Sequence, residues 1–179
     1  MALKDLDKLA KSDTEHAHQR AFFAWLNAAR LGGFPYACDV QPVDNPIRVD
    51  PKRPIWPELA LFHAVPNGGL RDKITAAKLK AEGAKAGVLD TFLPVPKPYR
   101  YPNLEAEGEW LTAWYMGLYI EFKEPGRKNH KNGGLSDAQI EFGDMVREQG
   151  YCTRVAYTWR EAANLVMLYY GVDTRVATS

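Results

Sequence analysis

Cysteine is scarce: Cys38 and Cys152 are the only two in 179 residues. Neither stands in a CxxC pair or beside a histidine at ligand spacing, which excludes a disulfide framework or a zinc cluster as the basis of the fold and leaves two reduced thiols. Long apolar runs are missing as well. No stretch approaches the roughly 18 apolar residues that a membrane span needs, and Met1 to Lys8 mixes charges where a secretory leader would be apolar. A soluble, cytoplasmic protein is expected, in a bacterium or, if phage-encoded, in the cytoplasm of the host. An excess of one charge is also absent: 23 Lys and Arg against 22 Asp and Glu leave a net +1, so affinity for a polyanion must come from local clusters. No internal repeat appears. What is present, 46% hydrophobic and 25% charged residues, marks a globular chain, and its length suits one domain over 1–179.

Periodicity divides the chain into alternating elements. His18, Phe22, Trp25, Leu26 and Ala29 recur at helical spacing and predict a helix from Asp13 to Arg30; Ser12 to Glu15 fits a capping box, which is one reading of Glu15 and leaves a functional one open. His16 and His18, two apart, diverge on such a helix and make a poor metal pair. Gly32, Gly33 and six prolines make 31–57 an extended arm. Glu58 to Val65 reads as the first core strand and ends in a turn, Pro66 to Gly69. Asp72 to Glu82 reads as a helix ringed by Arg71, Lys73, Lys78, Lys80 and Lys85. That ring is either a solvated face or, beside the Gly-Gly turn, a place where a phosphate backbone approaches exposed amides and cations.

The apolar run Val88 to Val95 is a second strand. An aromatic-rich insertion over 97–116 follows, read as a hairpin connection with a short helix around Glu107 to Tyr115; its rings either stack on bases or pack on the core. Gly117 to Lys123 is a third strand, and Glu124 to Gly134 is a basic loop. Ser136 to Gln139 is a second capping box, starting a helix with Ala138, Phe142, Met145 and Val146 inward and Gly150 as its stop. Tyr151 to Tyr157 alternates as a strand, and Thr158 to Glu161 caps a last helix. The alternation predicts an α/β fold with a central mixed sheet of about four strands flanked by helices.

Two strands carry polar exceptions. Glu121 and Lys123 are two apart and leave one face of an apolar strand together. Asp90 lies in another apolar run, where a carboxylate is costly to bury without a partner, and a divalent metal is such a partner. Phosphodiester hydrolysis needs a metal on the phosphate, a nucleophilic water near neutral pH, and positive charge facing the transition state. Mg²⁺ takes one or two carboxylates and keeps several waters, so Asp90 and Glu121 suffice, with Lys123 facing the attacking water. Taken alone, an Asp and a distant Glu-x-Lys are more often an exposed strand face than a site.

The joint series is more specific. Glu15 and Gln19; His63-Ala-Val-Pro-Asn67-Gly68-Gly69-x-Arg71; Leu79-Lys80-Ala-Glu-Gly-x-Lys85-Ala-Gly-Val-Leu-Asp90; Gly117-Leu-Tyr-Ile-Glu121-Phe122-Lys123; Leu135-Ser136-x-x-Gln139; and Gly150-Tyr151 resemble, in order from Glu15 to about Tyr170, the virus-type replication-repair nuclease family, VRR-NUC. That family lies in the PD-(D/E)XK, restriction-endonuclease-like superfamily. The resemblance implies a Mg²⁺- or Mn²⁺-dependent DNA endonuclease. It makes Asp90, Glu121 and the Phe122 backbone carbonyl the metal ligands, Lys123 the catalytic lysine, and Glu15 and Gln139 the residues that complete the site from two helices. It places the Asn67 to Arg71 turn near DNA, with Lys73, Lys80 and Lys85 alongside. Compact phage and bacterial members are similar to Holliday-junction resolvases and act as homodimers, so branched DNA and a second copy are the expected partners. The arm and the insertion are longer than in a minimal member. A nuclease of the same superfamily acting on duplex or flap DNA, or a non-catalytic DNA-binding module, are the other readings.

Overall fold

The computed structural model describes residues 3–40, 46–65, 78 and 81–172. The chain divides into two compact units: Met1–Phe62, Phe122–Gly134 and Arg154–Ser179 form one, and His63–Glu121 with Leu135–Thr153 form the other. Helices among the described residues are α1 (Leu3–Leu9), α2 (Glu15–Ala37), α3 (Asp137–Glu148) and α4 (Trp159–Tyr169). Strands β1 (His63–Ala64), β2 (Thr91–Leu93), β5 (Leu118–Phe122) and β6 (Cys152–Ala156) form one sheet in the order β1-β2-β5-β6, while β3 (Lys97–Pro102) and β4 (Trp110–Tyr115) form a separate two-stranded ribbon.

The sheet is mixed. β1 and β2 are antiparallel, as are β2 and β5, with Thr91 opposite Ile120 and Leu93 opposite Leu118. β6 runs parallel to β5: the Cys152 amide donates to the Gly117 carbonyl at 2.9 Å, and farther along both strands the Lys123 amide donates to Ala156 at 3.0 Å. A parallel pair needs a crossover of a dozen or more residues, and α3 supplies it.

In the first unit an aromatic core forms around Phe22, whose ring lies 5.3 Å from Phe62 and 5.6 Å from Phe122. Trp25 and Phe34 stack 6.0 Å apart. Each such side chain removed from water contributes about 1.5–3 kcal/mol. In the second unit Phe92 and Tyr119 stack 4.3 Å apart, and Tyr119 meets Phe142 edge-on at 5.7 Å. Both cysteines are buried; burial pushes the Cys38 thiol up from its ordinary value, which disfavours its nucleophilic form.

Several elements differ from expectation. The capping residue of α2 is Thr14, whose hydroxyl accepts from the Ala17 amide, and the helix runs to Ala37 rather than stopping at Arg30. A break at Gly33 (φ 82°) lets Pro35 sit inside the merged helix, since its ring falls in the first turn after the kink. The proline-rich arm is thus helical at its start, and 46–56 has no helix or strand. The expected strand over 58–65 is instead a 3₁₀ turn, Pro57–Leu61, followed by two strand residues. Leu59 and Phe62 are buried while Leu61 is exposed, a period of three that a short apolar run hides.

The second strand is shorter than Val88 to Val95: Asp90 stands just before β2 rather than within it. The helix expected near Glu107 to Tyr115 is β4, because Trp110 to Tyr115 alternates faces against β3, with Tyr99 stacked on Tyr115 at 4.1 Å. Met145, expected inward on α3, is 56% exposed. Helix α1 had no sequence signal beyond Leu6, which it buries; Asp7 holds it to α4 by accepting from the Trp159 indole at 3.1 Å and from Arg160 at 2.7 Å.

Candidate active site

In the second unit the centre is a buried carboxylate. Glu121, 1% exposed, lies on β5 between Ile120 and Phe122. A charge there is tolerable only with strong hydrogen bonds. One carboxylate oxygen, Oε2, accepts from the backbone amide of Asp90 at 3.1 Å, and the other, Oε1, accepts from the side-chain amide of Gln139. Asp90 is itself positioned from behind, since its carbonyl accepts from the Val65 amide at 2.7 Å.

Gln139 is held by the helix cap. Ser136 caps α3, its hydroxyl accepting from the Gln139 amide, and the Gln139 side-chain oxygen accepts from the Ser136 amide at 3.0 Å. With Oε1 committed to that donor, the Nε2 group has one direction left, toward Glu121. The expected capping role of Gln139 is thus filled by one end of its amide, while the other end meets Glu121. Ser136 is the residue that sequence reasoning assigned only to a cap; its signal was the same Ser-x-x-Gln spacing.

In the first unit the centre is Lys123. It follows β5 directly, keeps the ladder through its amide, and is 8% exposed. Its ammonium lies 3.9 Å from the Glu15 carboxylate. The expected capping box would have put Glu15 at the third helical position with its side chain turned back on Ser12. Because Thr14 is the cap, Glu15 is instead the first helical residue, where a carboxylate also meets the positive end of the helix dipole. Glu15 is half exposed and its pairing is long, so its contribution to stability is below about 1 kcal/mol. Glu15→Gln should therefore leave the melting midpoint almost unchanged; a loss above about 1 kcal/mol in thermal unfolding would show the pairing to be a structural one.

The loop after Lys123 is shaped by backbone rather than by packing. Asn132, Gly133 and Gly134 all have positive φ (57°, 63° and 81°), and the Tyr157 hydroxyl donates to the Gly133 carbonyl at 3.0 Å. Lys128 reaches Glu161 at 2.8 Å, and that hydrogen bond raises its ammonium above the ordinary lysine range.

The remaining expected residues are placed as follows. Asn67, Gly68, Gly69, Arg71, Lys73 and Lys80 lie outside the described residues, as does nearly all of the expected basic helix. Lys85 is exposed in the segment leading to Asp90. Among the described residues no group of three or more His, Cys, Asp and Glu side chains is assembled as a metal cage. The donor chemistry suits a hard cation: Glu121 and Asp90 are carboxylates and Phe122 has a backbone carbonyl, all oxygen donors of the kind such ions take.

The fold has a solved counterpart. A structure described as a VRR_NUC domain protein superposes with a TM-score of 0.50, covering 89% of this chain and 89% of that one at 22% sequence identity. The fold is that of a VRR_NUC domain. No family model matches the chain, and neither does any curated protein. The mixed α/β architecture with a four-stranded sheet is the class that the alternation of elements predicts, and among the described residues no helix is long and apolar enough to cross a membrane.

Proposed function

We propose that the chain is a VRR-NUC family member acting, as one nuclease domain, as a divalent-metal-dependent endonuclease that hydrolyses phosphodiester bonds in branched DNA such as four-way junctions, and that it does so as a homodimer. The observation that carries this reading is the buried Glu121 carboxylate, oriented by the Asp90 amide and by Gln139, on the strand that ends in a nearly buried lysine. A purely structural strand has no use for a charge held at 1% exposure by two donors.

Asp90, Glu121 and the Phe122 carbonyl would hold Mg²⁺ or Mn²⁺, which supplies Lewis acidity toward a phosphate oxygen. The protein's own part is positional. Gln139 and the Asp90 amide keep the Glu121 carboxylate in one orientation. Lys123 presents N–H donors from the same strand face, where they meet the negative charge that develops on the phosphoryl oxygens. Glu15 keeps that ammonium from turning to solvent. Two-fold symmetry would bring two such sites to the symmetric strands of a junction.

A panel of a four-way junction, a flap and a blunt duplex, each with Mg²⁺, Mn²⁺ or EDTA, tests this. The expected result is product only with metal, and fastest on the junction. Faster cutting of duplex or flap would move the substrate class within the same superfamily, and metal-independent binding without product on any arm would leave a non-catalytic module.

A further inference from the structure

We propose that the β3–β4 ribbon is a stacking platform for unpaired nucleotides, a substrate contact that lies outside the site just described and rests on the reading of the chain as a DNA nuclease. The register sets Pro98 opposite Trp114, Arg100 opposite Thr112 and Pro102 opposite Trp110. In a ladder these six residues leave one face together, and all six are exposed. Trp110 is 56% exposed and Trp114 54%. The other face, with Tyr99 stacked on Tyr115, is the more covered one. Tryptophan is among the costliest side chains to leave in water, so two on one exposed face mark a surface with a ligand.

The chemistry of the face selects the occupant. Trp110 and Trp114, four residues apart on one strand, are about 13 Å apart, and Arg100 sits between them with its guanidinium 5.7 Å from the Trp110 ring. Flat rings alternating with a guanidinium plane are what unstacked bases take, and a base offers its flat face only outside a duplex. Phosphate recognition is poor here: Lys97 and Arg100 are opposed by Glu105, Glu107 and Glu109 in the hairpin tip, so a duplex backbone gains little. A second copy of the chain is also disfavoured. A six-residue ribbon is about 20 Å long and two strands wide, on the order of 200 Å², against about 800 Å² per partner in a stable interface.

The test is binding of fluorescein-labelled oligothymidylate and of a blunt duplex of equal length to the whole chain in EDTA, so that no cleavage intervenes. Trp110→Ala and Trp114→Ala should each weaken oligothymidylate binding about 5- to 150-fold, with a much smaller loss on duplex, and Trp114→Tyr should restore most of it. Intrinsic tryptophan fluorescence should be quenched by oligothymidylate in the unsubstituted chain. Equal losses on both ligands, or no loss on either, would overturn the proposal, as would self-association abolished by Trp114→Ala. Stacking without cleavage on any DNA would sink the nuclease reading and leave the ribbon, whereas metal-dependent cleavage with unaltered oligothymidylate binding would sink the ribbon alone.

Discussion

Glu121→Gln should abolish DNA cleavage, with a fall on the order of 10³-fold or more in single-turnover rate, and should also destabilise the fold. The two effects have different origins. Under the proposed function, cleavage is lost because the charged oxygen proposed to hold the metal is gone. Stability is lost because both Glu121 oxygens accept from donors, the Asp90 amide on one and the Gln139 side chain on the other. A glutamine must turn its own NH₂ toward one of them. Gln139 cannot flip to receive it, because its oxygen is committed to the Ser136 amide at 3.0 Å. One buried donor is left facing another, at a cost of about 1–3 kcal/mol. Adding Gln139→Glu to the variant restores the pattern, since the new carboxylate accepts from both Ser136 and the substituted glutamine. The double variant should therefore recover most of the lost melting temperature and none of the cleavage. Recovery of both would show that Glu121 is structural only; Asp90→Ala, which removes no accepted bond of this network, should lose cleavage with the fold retained.

The same pair of residues shows what the sequence carried and what it withheld. Apolar alternation placed Glu121 inside a buried strand, and Ser-x-x-Gln spacing placed Gln139 at the third position of a helix; both are local properties that backbone geometry enforces. The link between them is eighteen residues long in sequence and depends on which way one amide points, which only the cap decides. Glu15 failed in the opposite direction. Ser12 to Glu15 satisfies a capping pattern, yet Asp13 adopts φ 54° and Thr14 becomes the cap, so two hydroxyls competed for one helix start and spacing could not choose. The ribbon was misread over Glu107 to Tyr115 because a short aromatic run fits either period until its partner strand is known. The 58–65 run fell to the same ambiguity, since Pro57 favours a helical first turn that apolar content does not reveal.

The largest stability effect is expected at a residue with no chemistry of its own. Gly87 has φ 82°, and a Cβ built on it would overlap the carbonyl of Ala138 and lie 2.9 Å from the Ala138 Cβ. The first turn of α3 thus rests directly on the backbone that leads to Asp90, and the residue after Ala138 is Gln139. Gly87→Ala adds the left-handed penalty of about 1–2 kcal/mol and forces a backbone, not a flexible side-chain tip, to give way, for about 1–3 kcal/mol more. A loss of about 3 kcal/mol in urea unfolding is expected. The displacement has a direction: pushing α3 away draws Gln139 off Glu121, so cleavage should fall further than the remaining folded fraction explains, even at temperatures where the variant is fully folded. Gly83 is the control. Its φ is 97°, and nothing lies within 4 Å of its built Cβ, so Gly83→Ala should show only the conformational penalty and full cleavage. If both alanine variants lose the same stability and neither loses activity beyond it, the close approach of α3 is not what sets the carboxylate.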